Sequence, residues 1–125
     1  MPWTGMDQRR FPRIRYQCVV SLRQVTSRPS MAVATENVGV GGVCVMLDQG
    51  LDIFAPVDLE LAIEDGLPPV TCRGMIAWVV RRRELNRPAV FDTGIEFVGL
   101  APEDRSRIEQ KLAQVSRPTQ GSERL

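Results

Sequence analysis

From Tyr16 onward the chain alternates apolar and polar positions with a period of two. Tyr16, Cys18, Val20 and Leu22 alternate with Gln17, Ser21 and Arg23, and Val19 breaks the pattern; this predicts a half-buried strand. Ser27-Arg28-Pro29-Ser30 is a turn cluster, and Met31 to Val38 reads as a second strand. Gly39 to Gly42 interrupts the run, after which Val43, Val45 and Leu47 resume the alternation in a third. Val57, Leu59, Leu61 and Ile63 against Asp58, Glu60 and Glu64 give the clearest strand. Gly66-Leu67-Pro68-Pro69 turns into a fifth over Val70 to Arg82, and Ala89 to Gly99 makes a sixth. Six short strands separated by turns predict an all-β fold, a six-stranded antiparallel β-barrel. Closure would remove the unpaired edges of such short strands.

A C-terminal α-helix follows. Pro102 suits its first turn, and Glu103 to Val115 carries Ile108, Leu112 and Val115 on one face. That face is predicted to pack over one end of the barrel. Residues 1–7 are expected to be disordered, residues 8–115 to form a single domain, and residues 116–125 a flexible tail.

With 125 residues and 43% hydrophobic content, one compact domain is the natural reading. The net charge of +1 hides an uneven distribution: residues 1–30 carry +5, residues 31–70 carry −7 with no basic residue, and the remainder adds +3. A nucleic-acid polymer calls for basic charge over a long surface, whereas here it sits at one end, which favours a small anionic partner. The chain has no histidine, which removes the usual general base, the usual zinc ligand and any Ser-His-Asp triad. Without a paired acid and base, a nucleophile or a metal cluster, an enzyme is not expected, nor a cofactor. Cys18, Cys44 and Cys72 are odd in number and set in apolar runs. They read as reduced core residues of a cytoplasmic protein, neither a disulfide framework nor a metal site. No apolar run has the length of a membrane span, so no membrane insertion is expected.

Two short stretches carry the candidate chemistry. Gln8-Arg9-Arg10-Phe11-Pro12-Arg13 packs three guanidinium groups into five residues, and Asn37-Val38-Gly39-Val40-Gly41-Gly42 is a glycine-rich turn between strands. Arginine binds phosphate bidentately or grips guanine O6 and N7 with the same fork. Pro12 discourages a helix through the arm. Asn37 offers both a donor and an acceptor, and Gly39, Gly41 and Gly42 permit positive φ and a bare backbone surface. A tight turn or bulge between strands would ask for the same glycines. Trp78 is either a stacking partner for a base or a core residue, since it shares strand parity with Cys72, Ile76 and Val80. Arg81, Arg82 and Arg83 read as a solvated run.

The ordered pair of motifs resembles the PilZ domains, bacterial receptors for cyclic di-GMP, over roughly residues 8 to 115. Arg9 and Arg13 fit the family's Arg-x-x-x-Arg. Asn37 and Gly42 fit the first and last positions of its Asp/Asn-x-Ser-x-x-Gly, and Gly39 stands where the family usually has Ser. Gly74 to Val79, Gly94 to Val98 and the helix also look like the family. The resemblance implies a cyclic di-GMP receptor that changes its surface on binding to regulate a protein partner. The ligand-binding candidates are Arg9, Arg10, Arg13, Asn37, Gly39, Gly42 and Trp78. An extra Arg directly before the first motif favours a stacked pair of ligands in families of this type; Gln8 holds that position here, so one ligand per chain is expected, on a monomer or weak dimer. The alternative is a degenerate PilZ-like interaction module without nucleotide binding, acting in motility or pilus assembly. A barrel binding RNA or single-stranded DNA would want a basic face with several exposed aromatics; seven aromatics and an acidic middle third disfavour it.

Overall fold

The computed structural model describes residues 14–25, 30–83 and 85–116. In it β1 (Val19–Gln24), β2 (Met31–Val38), β3 (Gly42–Leu47), β4 (Pro56–Ala62), β5 (Val70–Arg82) and β6 (Val90–Val98) precede helix α1 (Pro102–Ser116). The strands close into a barrel in the order β1-β2-β3-β6-β5-β4, every neighbouring pair antiparallel. The six-stranded antiparallel barrel with a C-terminal helix is therefore the observed architecture.

Alternation places the apolar set inside. Leu22 pairs with Leu59 and Val20 with Leu61 across β1 and β4, and Val43 meets Ile95, which meets Ile76, across β3, β6 and β5. All are essentially fully buried, and each such side chain contributes about 1.5–3 kcal/mol. β1 starts at Val19, later than the periodicity suggests. Before it, the Thr35 hydroxyl replaces part of the ladder: Oγ1 accepts from Cys18 N at 3.0 Å and donates to Tyr16 O at 2.7 Å.

Pro102 opens α1, with Glu103 and Asp104 in its first turn, where their charge complements the helix dipole. Ile108 and Leu112 are buried against the barrel, but Val115 stays 42% exposed. The apolar face thus ends a turn before the helix does, at variance with the sequence expectation. Arg107 ties the helix to the β4–β5 turn through Pro68 O at 2.7 Å.

The cysteines divide. Cys18 belongs to the apolar core and Cys72 packs against it. Cys44 is 4% exposed yet lies outside the core, covered by carboxylates, so it is not the core residue the sequence suggested. No helix among the described residues is long and apolar enough to cross a membrane.

Candidate functional site

Two bulges shape one wall of the barrel. In β2 the register shifts between Thr35 and Asn37, and in β5 between Ile76 and Trp78. A bulge re-aims side chains without ending the strand. The second one breaks the expected parity. Ile76 lies in the core and Val79 packs against it, so Trp78 turns to the outer face and is not a core residue.

There it joins a row. Asn37 pairs with Cys44, Cys44 with Gly94, and Gly94 with Trp78, across β2, β3, β6 and β5. The Trp78 indole rests against Gly94, where a Cβ would collide with its Cε2 and Nε1. Gly94 was not among the candidates, yet it seats the aromatic ring. Asn37 Oδ1 is sealed from solvent and accepts no hydrogen bond among the described residues.

Beside this row is the glycine turn. Gly39 N donates to Gly42 O at 2.9 Å, and Phe97 N donates to Gly41 O at 2.8 Å. A Cβ on Gly42 would collide with the backbone oxygen of Ile95, so a close strand approach requires glycine there. Positive φ does not: among the described residues the positive-φ glycines are Gly66 and Gly99.

Ile14 closes the site's N-terminal side. Its N donates to Val38 O at 2.9 Å, and Val38 N donates back to Ile14 O at 3.0 Å. Arg9, Arg10 and Arg13 lie outside the described residues. Arg13 directly precedes Ile14 in the sequence.

Behind the Asn37–Cys44 pair, the Cys44 thiol sits 3.3 Å from Glu36 Oε1 and 3.3 Å from Asp92 Oδ1. Burial pushes the thiol far above its ordinary pKa, and both carboxylates push further. Glu36 is also raised, first by burial and then by its hydrogen bond with Asp92, while Arg82 acts in the opposite direction. Arg82 Nη1 holds Asp92 Oδ2 at 3.0 Å while its side chain stays 55% exposed, so it is solvated, as the sequence suggested, and also paired. Arg81 and Arg83 are exposed. Glu36, Cys44 and Asp92 were missed, though one signal was present: if Val43 and Val45 point inward, Cys44 between them must point out.

The PilZ domain family profile matches residues 7–114. Among solved structures, the chain is similar to the Bacillus subtilis inhibitor of motility MotI/DgrA, at 14% identity and a TM-score of 0.70, covering 89% of this chain and 53% of that one. The PilZ domain of YcgR from Escherichia coli, solved with c-di-GMP, matches at 11% identity and a TM-score of 0.70, over 88% of this chain and 92% of that one. The K. pneumonia MrkH–c-di-GMP complex matches at 17% identity and a TM-score of 0.67, over 86% and 52%. The chain thus spans about half of MotI and MrkH and nearly all of the YcgR domain. None of the curated proteins matches it in sequence. The profile match extends over most of the chain, and the barrel, the Asn37–Gly42 turn and all but the last two residues of the helix fall within it: this chain belongs to the PilZ domain family.

Proposed function

We propose that this PilZ domain is a receptor for cyclic di-GMP, binding it between the arginine arm and the outer wall that carries Asn37, Gly39, Gly42 and Trp78. The observation that supports the reading is the two-bond bridge between Ile14, the residue that follows Arg13 in sequence, and Val38 of the Asn37–Gly42 motif. Arg9 and Arg13, with Arg10, supply forks for phosphate or guanine. Trp78, braced on Gly94, offers a face for a base. The YcgR and MrkH complexes carry the same ligand on the same fold. Ligand binding would order the arm against the wall, and that changed surface would be read by a protein effector, an order–disorder switch limited by the differential affinity for the two arm states. Catalysis forms no part of this role.

Calorimetry with cyclic di-GMP, GTP and an oligonucleotide tests the proposal. Cyclic di-GMP should bind at micromolar strength, one per chain, with the other two far weaker. Absence of heat and of a thermal shift at millimolar cyclic di-GMP would transfer the chain to the degenerate, protein-interaction reading, which Gly39 in place of Ser favours. A hydroxyl bonded to phosphate contributes roughly 1.5–3 kcal/mol, so its absence sets how tight the parent can be. Gly39→Ser should leave affinity equal or improved, because position 39 has no positive φ to resist a side chain. Weaker binding by the variant would place the motif in the wrong register.

A further inference from the structure

The Glu36–Cys44–Asp92 cluster combines two carboxylates with a thiol from three consecutive strands of the wall, β2, β3 and β6. Their ligand atoms all lie within 4.8 Å of one another. A thiol has one proton and donates to one carboxylate at a time, yet two approach Cys44 Sγ at 3.3 Å. Arg82 neutralises only the far oxygen of Asp92. Directly across from Cys44 in register stands Asn37, whose sealed Oδ1 lacks a donor among the described residues. Buried acceptors in native proteins normally find a donor or an ion. At the cluster itself, two carboxylates crowd one thiol, with Arg82 on the far side of Asp92 as their cation.

We propose that Glu36, Cys44 and Asp92 bind a single divalent cation of borderline softness, zinc above all, with water completing the tetrahedron. Zinc takes thiolate at about 2.3 Å and carboxylate oxygen at about 2.0–2.2 Å, so two such ligands on one tetrahedral ion stand about 3.6 Å apart. The observed spacings of 3.3 Å are close to that edge, so closure requires only small shifts. Magnesium and calcium want six or more oxygens and gain nothing from a thiol. On binding, the Cys44 S–H proton leaves to solvent and the freed sulfur pair forms the metal–sulfur bond; a proton on Glu36 leaves likewise. No electrons are exchanged. Arg82, holding the outer oxygen of Asp92, fixes that ligand's orientation from behind. Because the ligands span β2, β3 and β6, the ion would clip the Glu36 bulge to the wall beside the glycine turn.

The full chain, stripped of metal with a chelator, is titrated with cadmium, followed by the ultraviolet charge-transfer band of a cadmium thiolate, and with zinc by calorimetry. One ion per chain is expected, with the band present and protons released to buffer. Cys44→Ala should abolish the band, and Glu36→Gln, which preserves shape, should weaken zinc at least tenfold; Cys72→Ala should change neither. If Cys44→Ala fails to fold, Glu36→Gln and Asp92→Asn carry the test. No band with folded parent chain, a band that depends on Cys72 instead, or unaltered zinc affinity in Glu36→Gln would overturn the inference. The zinc ligands Glu36, Cys44 and Asp92 are not among the residues assigned to cyclic di-GMP, so either ligand can bind while the other does not and each proposal fails on its own.

Discussion

Two charged rows run across the outside of the barrel, and they are wired in opposite ways. On one wall Arg23 of β1, Asp58 of β4 and Arg73 of β5 stand in register. Asp58 Oδ2 accepts from Arg23 at 2.6 Å and Oδ1 from Arg73 at 2.9 Å, with side chains 37–52% exposed. One anion sits between two cations, in water, and each pair is limited to about 1 kcal/mol or less. On the other wall Glu36 and Asp92 flank a buried thiol, with Arg82 as their cation. The first wall is complete as it stands. The second sets two carboxylates against one thiol and a single guanidinium, on the wall to which Ile14 is bridged through Val38.

The contrast is broken most severely at its glycines. Gly42→Ala would drive a methyl into the Ile95 backbone oxygen, which cannot step aside; urea unfolding should show a loss of about 3 kcal/mol or more. Gly74→Ala, on the β4–β5 wall, meets Ile95 Cγ2 and Leu59 Cδ1 at 2.8 Å. Those side chains can repack, so about 1–2 kcal/mol is expected. Equal losses would mean that the two approaches are equally rigid.

Next in size is ligand affinity. Arg13→Ala should weaken cyclic di-GMP at least tenfold, about 1.4 kcal/mol, while Arg73→Ala stays within twofold. Similar losses at both positions would reduce the attraction to diffuse charge, with steep salt dependence in each variant.

The smallest effects are the most diagnostic because their signs differ. In metal-free protein Glu36→Gln removes one of two adjacent carboxylates and should be neutral or stabilise by up to about 1 kcal/mol. Asp58→Asn strips two arginines of their partner and should cost about 0.5–1 kcal/mol. Thermal melts at low salt compare them. Molar salt should erase the Asp58 effect and spare that of Glu36, which is less screened.

The barrel was legible because most of its strands bury a single face, so the period of two survives in Val57, Leu59 and Leu61 or in Val20 and Leu22. β3 is buried on both faces over Gly42–Val45, and there alternation loses its contrast. Cys44 therefore passed for core when its neighbours were carboxylates. The bulges at Glu36 and Ala77 carry no glycine or proline to announce them, and without the second Trp78 falls on the wrong parity. Phe54 is similarly silent: it adopts φ 72 in a turn, 71% exposed, held by its N–H on Ile76 O at 2.7 Å. The glycine turn was read correctly as a turn, but for conformational freedom where the reason is a neighbouring strand's approach.

The Ile14–Val38 bridge makes the arm a leash of fixed length. A chain spans at most about 3.6 Å per residue, and Arg9 is five residues upstream of the pivot. Every guanidinium-bearing residue of the arm therefore has its Cα within about 18 Å of the Ile14 Cα, whatever path the backbone takes. Short tethers of this kind hold their cargo at millimolar effective concentration, so an anion on the wall meets arginines far denser than any in free solution. Lengthening the leash would dilute them without touching a single contact.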